Sequence, residues 1–127
     1  MSTTRNSFYA VTTSAQVAAL RALDGRGDAW AAQSAKAYAQ TGREMAEILK
    51  IAPPQGSTFL FLDVAKVLDG RPLDTLLERC ARRGLLVAPG SSFGDFPNAI
   101  RICFTSAKPE VVLNGARTLR EEIDAIS

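Results

Sequence analysis

Apolar residues along this chain change their period several times, and each change marks an element. From Thr12 to Leu23 the side chains Ala15, Val17, Ala18, Ala19, Leu20, Ala22 and Leu23 are interrupted only by Gln16 and Arg21. Thr12, Thr13 or Ser14 can cap a helix there, and Asp24-Gly25-Arg26-Gly27 ends it. A helix apolar nearly all round needs burial on several sides, so this one is expected to meet a partner. Asp28 then opens a long helix that reaches about Leu49, before Pro53-Pro54 forbids continuation. Its stripe of Trp30, Tyr38, Met45 and Ile48 follows the helical period and predicts a core face.

The second half alternates strands and helices. A strand is predicted over Thr58 to Asp63 and a helix from about Pro72 to Arg83, where Leu73, Leu76, Leu77 and Cys80 fall at i, i+3, i+4 and i+7. Gly84 reads as a left-handed cap, followed by a short strand Leu85 to Ala88. A third strand covers Ala99 to Thr105. Pro109 opens a last helix with Val112, Ala116, Leu119 and Ile123 on its buried edge. The expected fold is α/β in the broad sense, an α+β sandwich: a small, mainly three-stranded sheet covered by helices and entered through a long helix. Asp69-Gly70-Arg71 is the clearest exposed turn.

Composition narrows the chemistry. The chain of 127 residues carries 15 basic against 13 acidic side chains, too small an excess to suggest nucleic acid. Arg79, Arg82 and Arg83 cluster near a helix C-terminus, where they complement its dipole on a solvated face. Histidine is absent, which removes the commonest general base and the usual metal ligand. Cys80 and Cys103 sit in apolar patterns without metal-ligand spacing, so buried reduced thiols are expected and no metal site. Asp63 and Asp95 carry no motif for an acid–base pair. No segment approaches the apolar length of a membrane span, and the polar N-terminus lacks a signal core, so a cytoplasmic location is expected.

One feature asks for an anion. Val87-Ala88-Pro89-Gly90-Ser91-Ser92-Phe93-Gly94 runs a short strand into a turn, and Ala99-Ile100-Arg101-Ile102-Cys103-Phe104 then places one arginine in an apolar strand. A guanidinium keeps its charge near neutral pH, so it must meet an anion or reach water. The alternation of Ile100, Arg101 and Ile102 leaves one face free, and an outward-pointing edge arginine satisfies the pattern as well as an anion site does.

These motifs resemble a family. From Pro54 to Ile126 the chain is similar to the C-terminal small domain of fold-type I, pyridoxal-phosphate-dependent aminotransferases of class I/II. Gln55 to Asp63 resembles the entry into that domain's first strand, and Pro89-Gly90 with Phe93-Gly94 resembles a Pro-Gly-x-x-Phe-Gly loop. Thr13 to Leu23 resembles the helix after the cofactor-lysine region. The resemblance divides the chain into an extended arm at 1–12, a helical segment at 13–50 like the large-to-small domain connection, and a small domain at 51–127. It implies that Arg101 binds the substrate α-carboxylate through a bidentate pair, with Phe93 walling the pocket and Gly90 in the substrate loop. Thr12, Thr13 and Ser14 correspond loosely to a region that can reach a neighbouring subunit's cofactor phosphate, and helix capping explains them equally.

The same resemblance implies absences. The Schiff-base lysine and the aspartate for the pyridine nitrogen belong to the large domain. Lys36, Lys50, Lys66 and Lys108 stand in no matching context. No catalytic residue is therefore assigned, and pyridoxal phosphate is implied by the family without covalent attachment to this chain. The expectation is a truncated or split aminotransferase, acting on an amino acid or 2-oxo acid only with a partner. That partner supplies the large domain and the Schiff-base lysine; for association, a homodimer or a separate large-domain aminotransferase chain is expected. The alternative is a non-catalytic remnant that binds amino acids or a protein. A new enzyme built on this domain alone ranks last.

Overall fold

A computed structural model describes residues 11–127. Most of the expected arm at 1–12, including Phe8 and Tyr9, lies outside the described residues. The chain divides into two compact units, one ending at Lys36 and the other spanning Ala37–Ser127.

The first unit holds helix α1 (Thr13–Leu23) and the first turns of helix α2 (Asp28–Leu49). The Thr12 hydroxyl accepts a hydrogen bond from the Ala15 amide at 3.4 Å, so capping is what this threonine does here. No residue of α1 is buried, and Leu23 is 84 % exposed. Trp30 is 70 % and Tyr38 40 % exposed, which corrects the first half of the expected core stripe, while Met45 and Ile48 lie in or against the core. Burial along α2 begins only at Thr41, where the helix joins the core of the second unit through Met45, Ala46 and Leu49.

The second unit is an α+β arrangement around a three-stranded antiparallel sheet. Strands β1 (Phe59–Asp63), β2 (Ala88–Pro89) and β3 (Ala99–Cys103) lie in the order β1-β3-β2. Alternation decides which face each side chain takes. Leu60 and Leu62 of β1 and Ile100 and Ile102 of β3 are buried, packed with Leu76 and Cys80 of α4 (Leu73–Arg82) and with Leu119 and Ile123 of α5 (Pro109–Ile126). Val112, Ala116, Leu119 and Ile123 form the buried edge of α5 as its period predicts. A single turn, α3 (Ala65–Leu68), had no signal of its own in the pattern.

The helix ends explain the strand lengths. Gly84, at φ +76°, donates to the Ala81 carbonyl, while Leu85 donates to the Cys80 carbonyl, a Schellman closure of α4. Leu85 thus belongs to the cap, and β2 comprises Ala88–Pro89 rather than Leu85 to Ala88. Asp69 and Gly70 both take left-handed backbone, as expected of that turn. Arg71 beside them donates to the carbonyls of Leu68 and Ile126, tying the end of α3 to the end of α5.

The basic cluster on α4 differs from its expected solvated state. Arg79 pairs with Glu122 at 2.7 Å, and Arg83 bridges Glu121 at 2.7 Å and Glu122 at 3.1 Å. These are contacts between α4 and α5, joining residues too distant in sequence for periodicity to pair them. Hydrogen bonds from Arg83 and Arg79 hold the Glu122 carboxyl below the usual carboxylate range, against the opposing pull of burial. Burial, with Glu122 nearby, pushes the Cys80 thiol up. Cys80 is buried, whereas Cys103 is only half-buried, because it lies on the outward face of β3.

Candidate functional site

The outward face of the sheet is built by the same alternation that fills the core. Because Leu60 and Leu62 point inward, Phe59 and Phe61 point outward, and the β1–β3 register sets Phe61 opposite Arg101 and Phe59 opposite Cys103. After β2 the chain forms a 3₁₀ turn, Gly90–Phe93, that brings Phe93 over the same face. The Arg101 Cζ lies 3.6 Å from the Phe93 ring centroid and 4.2 Å from that of Phe59. Phe61 and Phe96 meet edge to face at 5.1 Å. All four rings remain between 38 % and 50 % exposed.

Two aromatic faces against one guanidinium contribute about 0.5–1 kcal/mol each at such partly exposed positions. They restrict the arginine's rotamers without satisfying its N–H donors, which lie in the guanidinium plane. Arg101 takes part in none of the ion pairs formed among the described residues. The arrangement can hold a planar anion through two parallel hydrogen bonds.

Of the residues singled out by sequence, Arg101 and Phe93 are brought together. Gly90 has a different neighbourhood: a Cβ there would stand 2.6 Å from the Phe96 carbonyl oxygen and 2.9 Å from the Ala99 Cβ. Its missing side chain lets the loop lie directly on the start of β3 and so sets the height of Phe93 above Arg101. Phe59, Phe61 and Phe96 were not anticipated. The signal was present in Phe59-Leu60-Phe61-Leu62, whose alternation assigns the two rings to the face opposite the leucines.

A cavity of about 340 Å³ opens where residues 85–88 leave β3, bounded by Met45, Ile102, Val112 and Leu119. Arg101 is the one charged residue on its wall, but neither Phe59 nor Phe93 borders it. No lysine and no carboxylate line it, and Lys36, Lys50, Lys66 and Lys108 are all exposed. The donor set for pyridoxal phosphate is a recessed lysine with a carboxylate for the ring nitrogen. The side chains around this cavity and the aromatic face do not fit that group. Among the described residues no cluster suits a metal ion either.

Over 112 residues the chain is 33 % identical to the aspartate aminotransferase of Thermococcus kodakarensis, an alignment covering 86 % of this chain and 28 % of that protein. The chain is similar to part of an aminotransferase. It spans little more than a quarter of that relative's length. No protein-family model matches the chain, and no solved structure does. Among the described residues no helix is long and apolar enough to cross a membrane.

Proposed function

We propose that this chain supplies the α-carboxylate-binding arginine, Arg101, of a pyridoxal-phosphate-dependent aminotransferase. It acts in amino-group transfer between amino acids and 2-oxo acids together with a large-domain portion that brings the lysine and the cofactor. The observation carrying this reading is Arg101 itself: a rotamer-restricted guanidinium, without an ion pair among the described residues, in a chain similar to part of an aminotransferase. Its role is to grip and orient the carboxylate common to every amino acid, so that the reacting carbon is presented in one pose.

The test is reconstitution. The purified chain is mixed with candidate large-domain aminotransferase proteins and pyridoxal phosphate, and 2-oxo acid formation is followed. Transfer is expected in the mixture and not in the chain alone, with Arg101→Lys lowering it by one to two orders of magnitude. Transfer undiminished in Arg101→Lys removes Arg101 from the reaction. Borohydride reduction of the chain with the cofactor should label no single lysine stoichiometrically. Mass spectrometry that finds one such lysine overturns the need for a second protein.

The exposure of α1 favours a second reading in which the chain is a non-catalytic module that binds a protein partner. Val17, Leu20 and Leu23 present an apolar surface of the kind that marks an interface. Both readings give α1 the same role, as contact with a second copy or a large-domain chain. Sedimentation should find an association that Leu20→Glu weakens. A stable monomer at high concentration, unaltered by that change, argues against a second copy as the partner.

A further inference from the structure

We infer that the Arg101 site takes monocarboxylates bearing an apolar, preferably aromatic, substituent, and discriminates against dicarboxylates. This rests on the reading of Arg101 as a carboxylate site and names the class of acid it accepts.

The argument starts from what surrounds the guanidinium. The strands and the 90–98 loop that build this face hold one cation, Arg101, and two carboxylates, Asp63 and Asp95. Asp63 lies on the same face of β1 as Phe59 and Phe61, and it borders a shallow depression of about 120 Å³ that Phe96 also lines. The register sets Phe61 opposite Arg101 and Asp63 two residues further along β1, opposite Ala99, so the way across the sheet from the cation to Asp63 passes the edge-to-face Phe61–Phe96 pair. A ligand anchored by one carboxylate therefore extends over phenyl rings toward negative charge. A second carboxylate there would meet no second cation among the residues that build this face and would be repelled by Asp63. An apolar substituent instead covers rings that now face water, and an aromatic one adds edge-to-face contacts with Phe61 and Phe96.

The experiment uses the 127-residue protein labelled with ¹⁵N-arginine, with the Arg101 Nε–Hε resonance assigned by its loss in Arg101→Lys. It is titrated with 3-phenylpropanoate, glutarate and acetate, which have no carbonyl to react with exposed lysines. The Arg101 resonance should move with 3-phenylpropanoate at a Kd about tenfold below that of glutarate. Phe61→Leu, which keeps an apolar side chain and hence the fold, should shrink that preference about fivefold and leave acetate unchanged. Equal affinities for glutarate and 3-phenylpropanoate overturn the inference while leaving Arg101 a carboxylate site. A preference unaltered by Phe61→Leu overturns it too. If no carboxylate moves the resonance up to the solubility limit, the carboxylate reading of Arg101 falls with it.

Discussion

Arg83 at the C-cap of α4 and Arg101 on β3 are both arginines with half-exposed surroundings, yet the fold treats them in opposite ways. Arg83 is met by Glu121 and Glu122, and the second of these also binds Arg79. Arg101 is met by Phe59 and Phe93. In the first case the chain provides the counter-ions and the charge is spent on joining α4 to α5. In the second the chain holds the guanidinium in place and leaves its hydrogen-bonding edge to something else. An arginine whose geometry is specified but whose donors are not is a reasonable place to look for a ligand.

Replacing each arginine by lysine separates the two roles most sharply at β3. Arg101→Lys retains a positive charge and loses the fork, worth about 2–3 kcal/mol where both nitrogens hold a carboxylate. In the reconstituted enzyme this corresponds to a fall of roughly one to two orders of magnitude in kcat/KM, with Tm nearly unchanged. A large loss of Tm with the affinity per folded molecule intact would make Arg101 structural, like Arg83.

The α4–α5 pairs should show the reverse pattern, in stability and with a definite pH dependence. Glu122 has its pKa lowered by hydrogen bonds from Arg83 and Arg79. A group that binds its proton less readily when folded stabilises the fold above its unfolded pKa, and that contribution disappears as pH falls through the folded value. Glu122→Gln should therefore lower Tm at neutral pH. The gap to the parent protein should close as the solution is acidified below the ordinary carboxylate range. Calorimetry that finds the same gap at every pH would mean that packing, not charge, accounts for the loss. Carboxylate binding at Arg101 should be untouched.

How much of this contrast was legible in advance follows from the range of each signal. The helices α2, α4 and α5 and the inward leucines and isoleucines are local patterns, and they stand where their periods put them. Arg101 stood out because a charge in an apolar strand violates its own pattern. What the chain does around each arginine was not legible: Glu122 lies 39 residues from Arg83. The rings of Phe59 and Phe93 reach Arg101 only through strand register and a 3₁₀ turn. Trp30 was misplaced for a related reason, since periodicity marks a stripe but not where along α2 the covering begins.

A smaller effect tests whether the aromatic faces matter to the arginine. Phe93→Leu keeps the site apolar and removes one ring from Cζ. Losing about 0.5–1 kcal/mol of cation–π attraction should weaken carboxylate binding two- to fivefold by freeing Arg101 rotamers. Phe93→Tyr restores the ring and should restore affinity. Rescue by tyrosine but not leucine identifies the ring face as the cause. Equal behaviour of the two substitutions would leave Phe93 a mere filler.

The smallest change is expected one position before Arg83. The Arg82 side chain is 79 % exposed and, among the ion pairs of the described residues, meets only Glu78 one turn back at 3.7 Å. A solvated pair at that spacing contributes about 0.3–0.5 kcal/mol, and salt screens it. Arg82→Gln should thus shift Tm very little, and the shift should vanish at high ionic strength. Carboxylate binding should not change. This variant removes the same formal charge as Arg83→Gln from the same end of the same helix. Their difference therefore isolates what the Glu121 and Glu122 contacts add beyond helix-end electrostatics. If the two variants destabilise the protein equally, the dipole of α4 explains the whole basic cluster, and the contrast between a paired arginine and an unpaired one loses its structural half.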